Sequence, residues 1–228
     1  MKFTTESIRR LWMVGLGATI VCPMAASSQQ RTPLMDTLTT QSAIPAARDA
    51  LSRFGQAVTR QNAASLGFDS PDQIGRATLG IPIQELMIRL DQLRQFSQNQ
   101  SPLMILRNTD RVSVPVLLNN VTRSSVTVTK ESGTWTMYSL GSPTYARSLD
   151  ALGADLSRRE GLAANAYFEV RVPALNVAFI GRSRGNDLFF SPVSPDSRFG
   201  FVRGQTMLAR DALARMVNAT RAHNGNPT

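Results

Sequence analysis

The sequence predicts an α+β fold, an antiparallel sheet built from hairpins with helices packed on one face. Three observations carry that prediction. Strand-like runs come in consecutive groups joined by turn residues, and amphipathic helical segments fall between the groups rather than between single strands. In the run S-V-T-V-T, Ser125 to Thr129, valines alternate with hydroxyl residues, which marks a sheet with one wet face.

The chain opens with a secretory leader. Lys2, Arg9 and Arg10 form a positive start, Leu11 to Cys22 is apolar, and small residues follow. The apolar run is shorter than the roughly 20 residues a membrane span needs. Residues 1–28 are therefore expected to be a cleaved signal peptide, with the cut near Ser27 to Gln29 and Ala25 and Ser27 in the small positions before it. Cys22 makes a poor lipid-anchor site, because Val21 stands where a small residue is expected. Cleavage removes the only cysteine, so the exported chain is expected to fold without a disulfide.

Residues 29–42 are Thr-rich without periodicity and are expected to form a flexible linker. A domain is expected over 43–222, divisible into lobes of about 43–160 and 161–222, with a disordered tail at 223–228. Its first helix is signalled by Pro45 and by Ala47, Leu51, Phe54 and Val58 at steps of three and four. Ser70-Pro71 with Gln73 predicts the capped start of a short second helix. Leu86, Ile88 and Leu90 alternate as in a strand, and Asp91 begins a short helix. Three further strands follow: R-V-S-V-P-V-L-L, V-T-R-S-S-V-T-V-T-K and T-W-T-M-Y-S-L. Asn119-Asn120 and Glu131-Ser132-Gly133 turn the chain between them. Ser142-Pro143 starts a helix with Tyr145, Leu149, Leu152 and Leu156 on one face. After Gly161 the chain returns to strand with Y-F-E-V-R-V-P-A-L-N-V-A-F-I, followed by a turn at G-R-S-R-G-N and by D-L-F-F-S-P-V. A final helix carries Met207, Leu208, Ala212 and Met216.

Two V-x-V-P segments, at Pro115 and Pro173, each precede a hairpin and a helix containing A-R and D-A-L. The interval from proline to aspartate is 35 residues in one and 38 in the other. The order suggests two pseudo-repeated hairpin-plus-helix units. Proline gives no N–H to a ladder, so Pro115 and Pro173 are expected on edge strands or at bulges, where they blunt an edge or mark one kept open for an incoming strand. In outline, two such units in an exported chain resemble the small chaperone-like proteins of the cyanobacterial periplasm and the chloroplast intermembrane space.

Charge and residue usage narrow the chemistry. The chain holds 25 Lys plus Arg against 16 Asp plus Glu. Without Lys2, Arg9, Arg10 and Glu6 the balance is 22 against 15, or +7. Lys2 and Lys130 are the only lysines; the arginines are scattered and lack aromatic interleaving, which argues against nucleic acid. With no cysteine after cleavage and His223 the only histidine, thiol catalysis and zinc sites of the usual type are excluded, and neither metal nor cofactor is expected.

Gly181-Arg182-Ser183-Arg184-Gly185 matches the nucleophile-elbow pattern G-x-S-x-G, with Ser183 as nucleophile, His223 as base and Asp187, Asp196 or Asp211 as the orienting acid. The context reads instead as a hairpin loop, since D-L-F-F-S-P-V after it is strand-like where an elbow needs a helix. Carboxylates paired across distant parts of the chain remain a second route to hydrolysis. For binding, Phe189 and Phe190 must point to opposite faces of their strand. One reading covers both faces with helices; the other lets Phe190 line an apolar groove rimmed by Arg182 and Arg184.

The functional expectation is an exported, non-enzymatic protein of the bacterial periplasm or cell envelope. It would act as a binding, chaperone-like or assembly factor for an envelope polypeptide. The alternatives are a secreted hydrolase, using Ser183 or carboxylates, and a binder of anionic lipid or cell-wall polymer.

Overall fold

A computed structural model of the chain describes residues 37–220. The expected signal peptide, most of the linker and His223 lie outside the described residues. Among the described residues, nine strands form one sheet. They are β1 (Thr78–Leu79), β2 (Ile83–Ile88), β3 (Leu106–Leu118), β4 (Val121–Glu131), β5 (Thr134–Leu140), β6 (Phe168–Val172), β7 (Val177–Arg184), β8 (Asp187–Pro192) and β9 (Met207–Leu208). The helices are α1 (Thr37–Ser42), α2 (Ile44–Ala57), α3 (Leu90–Arg94), α4 (Pro143–Glu160) and α5 (Ala209–Thr220). The fold class is α+β, as the sequence predicts.

The spatial order is β5-β4-β3-β2-β6-β7-β8-β9, with β1 also paired to β3. Two antiparallel meanders run outward from the centre, where β2 and β6 pair in parallel. Hairpin turns fall where the sequence puts them. Asn119 and Asn120 (φ 53° and 61°), and Ser132 and Gly133 (φ 48° and 85°), all occupy the left-handed region that two-residue hairpin loops require.

Paired residues on neighbouring strands point to the same face, which fixes what lies where. Val112, Val114, Val116, Val126 and Val128 share one face with Leu86, Ile88, Phe168, Val170 and Val172. The first set packs against α2 through Ala47, Ala50 and Phe54. The second packs against α3 and α5 through Leu93, Ala212, Leu213 and Met216. The opposite face belongs to α4, whose Leu149, Leu152 and Leu156 meet Ile180, Val193 and Tyr167. So helices on one face describes α2, α3 and α5, and α4 takes the other face.

That placement corrects the expected wet face. Ser125, Thr127 and Thr129 are all buried. α4 crosses from the end of β5 back to β6 over this side of β4, and it satisfies hydroxyls there: Thr122 donates to Asp150 on α4 at 2.7 Å. Residues 37–42, expected as linker, are helical, and Ser42 accepts a hydrogen bond from Trp135 Nε1 at 3.0 Å. Ser70 makes no side-chain cap; Gln73 reaches one residue further back, accepting from Asp69 N at 2.9 Å.

Neither V-x-V-P proline sits on an edge. Pro115 lies inside β3, between β4 and the β1–β2 segment, one residue from a bulge at Val116/Leu117. Its carbonyl accepts from Gly80 N at 2.8 Å, so its missing N–H points to the same side, where the chain breaks from β1 to β2 at Gly80 to Pro82. Pro173 ends β6 and opens a tight 3₁₀ turn, Pro173–Leu175, closed by Asn176 at φ 51° before β7 begins. An internal β3 and the end of β6 are not equivalent places, and the two segments do not confirm the pseudo-repeat.

Candidate functional site

On the α4 face, one row of paired residues runs across five strands: Thr129 on β4, Arg111 on β3, Glu85 on β2, Glu169 on β6 and Ile180 on β7. The middle of that row is charged and buried. Glu85 is 5% exposed and Glu169 2%. Two carboxylates side by side on a parallel ladder are costly unless cations meet them, and Arg171 does so. It lies two residues beyond Glu169 on the same face of β6. Its Nε stands 3.3 Å from Glu169 Oε1 and its Nη1 3.5 Å from Glu85 Oε2. Arg111 Nη1 lies 3.5 Å from Glu85 Oε1, and its guanidinium sits 3.7 Å from the centre of the Tyr138 ring on β5.

A bulge aims Arg111 at this cluster. Between Glu85/Leu86 on β2 and Asn108 to Arg111 on β3 the register slips. Thr109 donates through Oγ1 to Glu85 O at 2.7 Å and accepts from Arg111 N at 3.2 Å. Asp110 takes φ 54°, with its N–H bound to Asn108 Oδ1 at 3.0 Å. The short polar side chains of N-T-D supply these local bonds, and the slip re-aims the strand.

The fourth partner comes from the first turn of α4. Tyr145 donates its hydroxyl to Glu169 Oε1 at 2.6 Å, and Arg171 stacks 5.5 Å from its ring. Burial, and then the neighbouring Glu169 charge, hold the Tyr145 hydroxyl far above its ordinary range, so it is a permanent donor. Burial pushes the Glu169 carboxyl up to about 6; the Tyr145 hydrogen bond and Arg171 restrain that rise and Glu85 adds to it. Burial alone would loosen the proton on Arg171, but Glu169, Tyr145 and Glu85 outweigh it and keep the guanidinium charged.

Beside the network lies a cleft of about 600 Å³, between the ends of β2, β6 and β7 and the loop after β8. Arg111, Arg171, Glu85 and Tyr145 line it on one side. On the other, Asp196 holds Arg198 through bonds of 2.7 to 3.2 Å, and Arg198 also donates to Leu175 O at 2.7 Å. That pairing holds the Asp196 carboxyl below its usual range. Glu169 lies beneath, outside the lining.

No protein-family model matches this sequence, and comparisons with characterised proteins and with solved structures found no significant likeness. The resemblance in outline to periplasmic chaperone-like proteins has no counterpart in them.

The residues singled out from sequence lie elsewhere. Ser183 is inside β7, paired with Leu188 on β8, so G-x-S-x-G is a strand leading to a hairpin turn and not an elbow. Asp187, a candidate orienting acid, pairs with Arg210 at 3.1 Å. Arg182 is not a rim. It is ion-paired with Glu160 at the end of α4 and covers the Phe189 ring at 4.6 Å. Arg184 stands at the hairpin end, opposite Asp187. Phe190 is fully buried and stacked on Phe179 at 5.2 Å. It fills the core under α5, and no groove opens on it. Helices on both faces, the other reading, is what the structure has.

Sequence reasoning missed Glu85 and Glu169. The signal was present in I-Q-E-L-M-I and F-E-V-R-V, where a carboxylate interrupts an apolar run, and where Glu169 and Arg171 sit two apart and therefore on one face. Among the described residues, no group of three or more His, Cys, Asp or Glu side chains gathers as metal ligands would.

Chemically, the network holds charge. The carboxyl with the raised proton affinity does not line the cleft, and the Arg171 guanidinium bridges the two carboxylates where a hydrolase would place substrate.

Proposed function

We propose that the chain is a non-catalytic binding protein of the bacterial periplasm or cell envelope, acting as a chaperone-like or assembly factor, and that it takes an extended polypeptide partner by strand addition on β5. Strand order carries this reading. β5 ends the sheet on one side as a seven-residue strand, T-W-T-M-Y-S-L, with no proline, no charge and no neighbour beyond β4 among the described residues. The other edge, β9, is two residues long and runs straight into α5. Natural sheets guard long edges with charge, proline, bulges or cover; β5 has one bulge, at Tyr138, and neither charge nor proline. An outward row of backbone N–H and C=O groups fits another extended backbone better than any other ligand. Met137 and Tyr138, both about half exposed, offer apolar surface alongside it.

The export signal read from the leader supports the compartment. Carboxylate-based hydrolysis, which the Glu85–Glu169 pair raises, fits less well because Arg171 occupies the space between the two groups.

The test is capture of a permanently unfolded, reduced and alkylated polypeptide by a photo-crosslinker placed at Ser139. Lysine is the usual guard of an edge. Met137→Lys should therefore abolish crosslinking while moving stability by no more than about 0.5 kcal/mol, as expected of an exposed site. Crosslinking equal to that of the parent chain would overturn the reading, and preferential capture by anionic vesicles would favour a lipid-binding role instead.

A further inference from the structure

The cleft on the α4 face is a second, separate feature, since none of its lining residues belongs to β5. Its wall is built from guanidiniums held in place from below. Arg171 spends Nε and Nη1 on the two buried carboxylates and Arg111 spends Nη1 on Glu85, so among the described residues Nη2 of each has no partner. A guanidinium carries five donors in a rigid fork, and one fixed by buried partners loses little freedom when it meets a ligand. Met87 and Ala178, each paired with Arg171, add apolar surface on the same wall.

The charge count selects among anions. Along the cleft Arg111, Arg171 and Arg198 face Glu85 and Asp196, and Glu169 beneath, paired with Arg171, brings three carboxylates against three guanidiniums. With that wall already balanced, a singly charged ligand adds the least uncompensated charge. A dianion would leave a second uncompensated negative charge over Glu169, in a setting where such charge is costly. The volume, about 600 Å³, lies in the range of small-molecule sites.

We propose that this cleft binds an amphiphilic monocarboxylate, its carboxylate on the guanidiniums of Arg111 and Arg171 and its apolar body against Met87 and Ala178. That chemistry occurs both in a free aliphatic acid and in a polypeptide C-terminus ending in an apolar residue.

Calorimetric titration of the full chain tests it, with octanoate, octanamide, octyl phosphate, and a short leucine-terminated peptide as free acid and as amide. The acids should bind saturably with Kd on the order of 1 mM or tighter, and the amides should not. Binding of octanoate assigns the site to free acids; binding of the peptide acid alone assigns it to chain termini; either supports the proposal. Arg171→Gln should weaken the acids about tenfold or more. Because that change also disturbs the buried network, Met87→Trp is the second variant: it fills the apolar wall, leaves every ion pair in place, and should abolish binding. Absence of saturable binding by both acids, equal binding of octanamide, tighter binding of octyl phosphate, or full binding by Met87→Trp overturns the proposal.

Discussion

Glu85 and Glu169 stand opposite one another on the parallel ladder that joins the two halves of the sheet, and a single guanidinium, Arg171, reaches both. The join is thus made by charge on the α4 face and by Leu86 against Val170 on the other. Removing the shared cation strands two buried carboxylates. Arg171→Met should destabilise the chain by about 3–5 kcal/mol in urea unfolding, and pairing it with Glu85→Gln should recover part of that loss. An unchanged midpoint for Arg171→Met would show that the network does not hold the halves together.

Glu169 gives the protein a pH-dependent stability with a definite sign. Its carboxyl is raised from 4.5 to about 6 in the folded chain, so the folded state holds that proton more tightly than the unfolded state does. Its contribution favours folding below about 4.5 and disappears as pH rises through about 6, a swing on the order of 2 kcal/mol. Asp196 is shifted the other way, and its contribution is lost only as pH falls below its ordinary 3.8, outside that window. Glu169→Gln keeps an acceptor for Tyr145 and removes the titration. Unfolding free energies measured between pH 4.5 and 6.5 should therefore slope downward for the parent chain and flatten in the variant.

Gly181 is required by a close approach. It pairs with Phe168, whose ring lies over it, and a Cβ at Gly181 would fall within the van der Waals radius of that ring. Phe168 is fully buried and has nowhere to turn. Gly181→Ala should cost about 1–3 kcal/mol, read by the same unfolding measurement.

The two rings of the Phe189-Phe190 pair should behave differently. Phe190→Ala leaves a cavity beside Phe179 and should cost about 3–5 kcal/mol. Phe189, outside the core and under Arg182, should cost clearly less. Equal and small losses would instead return Phe190 to a surface role.

Local chemistry made the hairpins legible. Alternation marked β3 to β5, and Asn119-Asn120 and Ser132-Gly133 marked their turns, because those signals are carried by neighbouring residues. The pairing of β2 with β6 joins residues more than eighty apart, and no short-range pattern encodes it. Thr127 and Thr129 looked solvent-facing from alternation alone, yet both are buried. The proline pattern misled because V-x-V-P reads alike inside β3 and at the end of β6, and only the partner strand shows whether an N–H is missed. Glu169 and Arg171 were legible as a same-face pair in F-E-V-R-V; that Glu85 would complete the set depended on the long-range ladder.

The proposed role rests on β5 being open to another strand, and amide hydrogen exchange across Thr134–Leu140 tests this most directly. On addition of a saturating, permanently unfolded polypeptide, the outward-facing amides of β5 should slow while those of β9 and α5 keep their rates. Polypeptide binding that leaves every β5 amide exchanging as before would contradict strand addition.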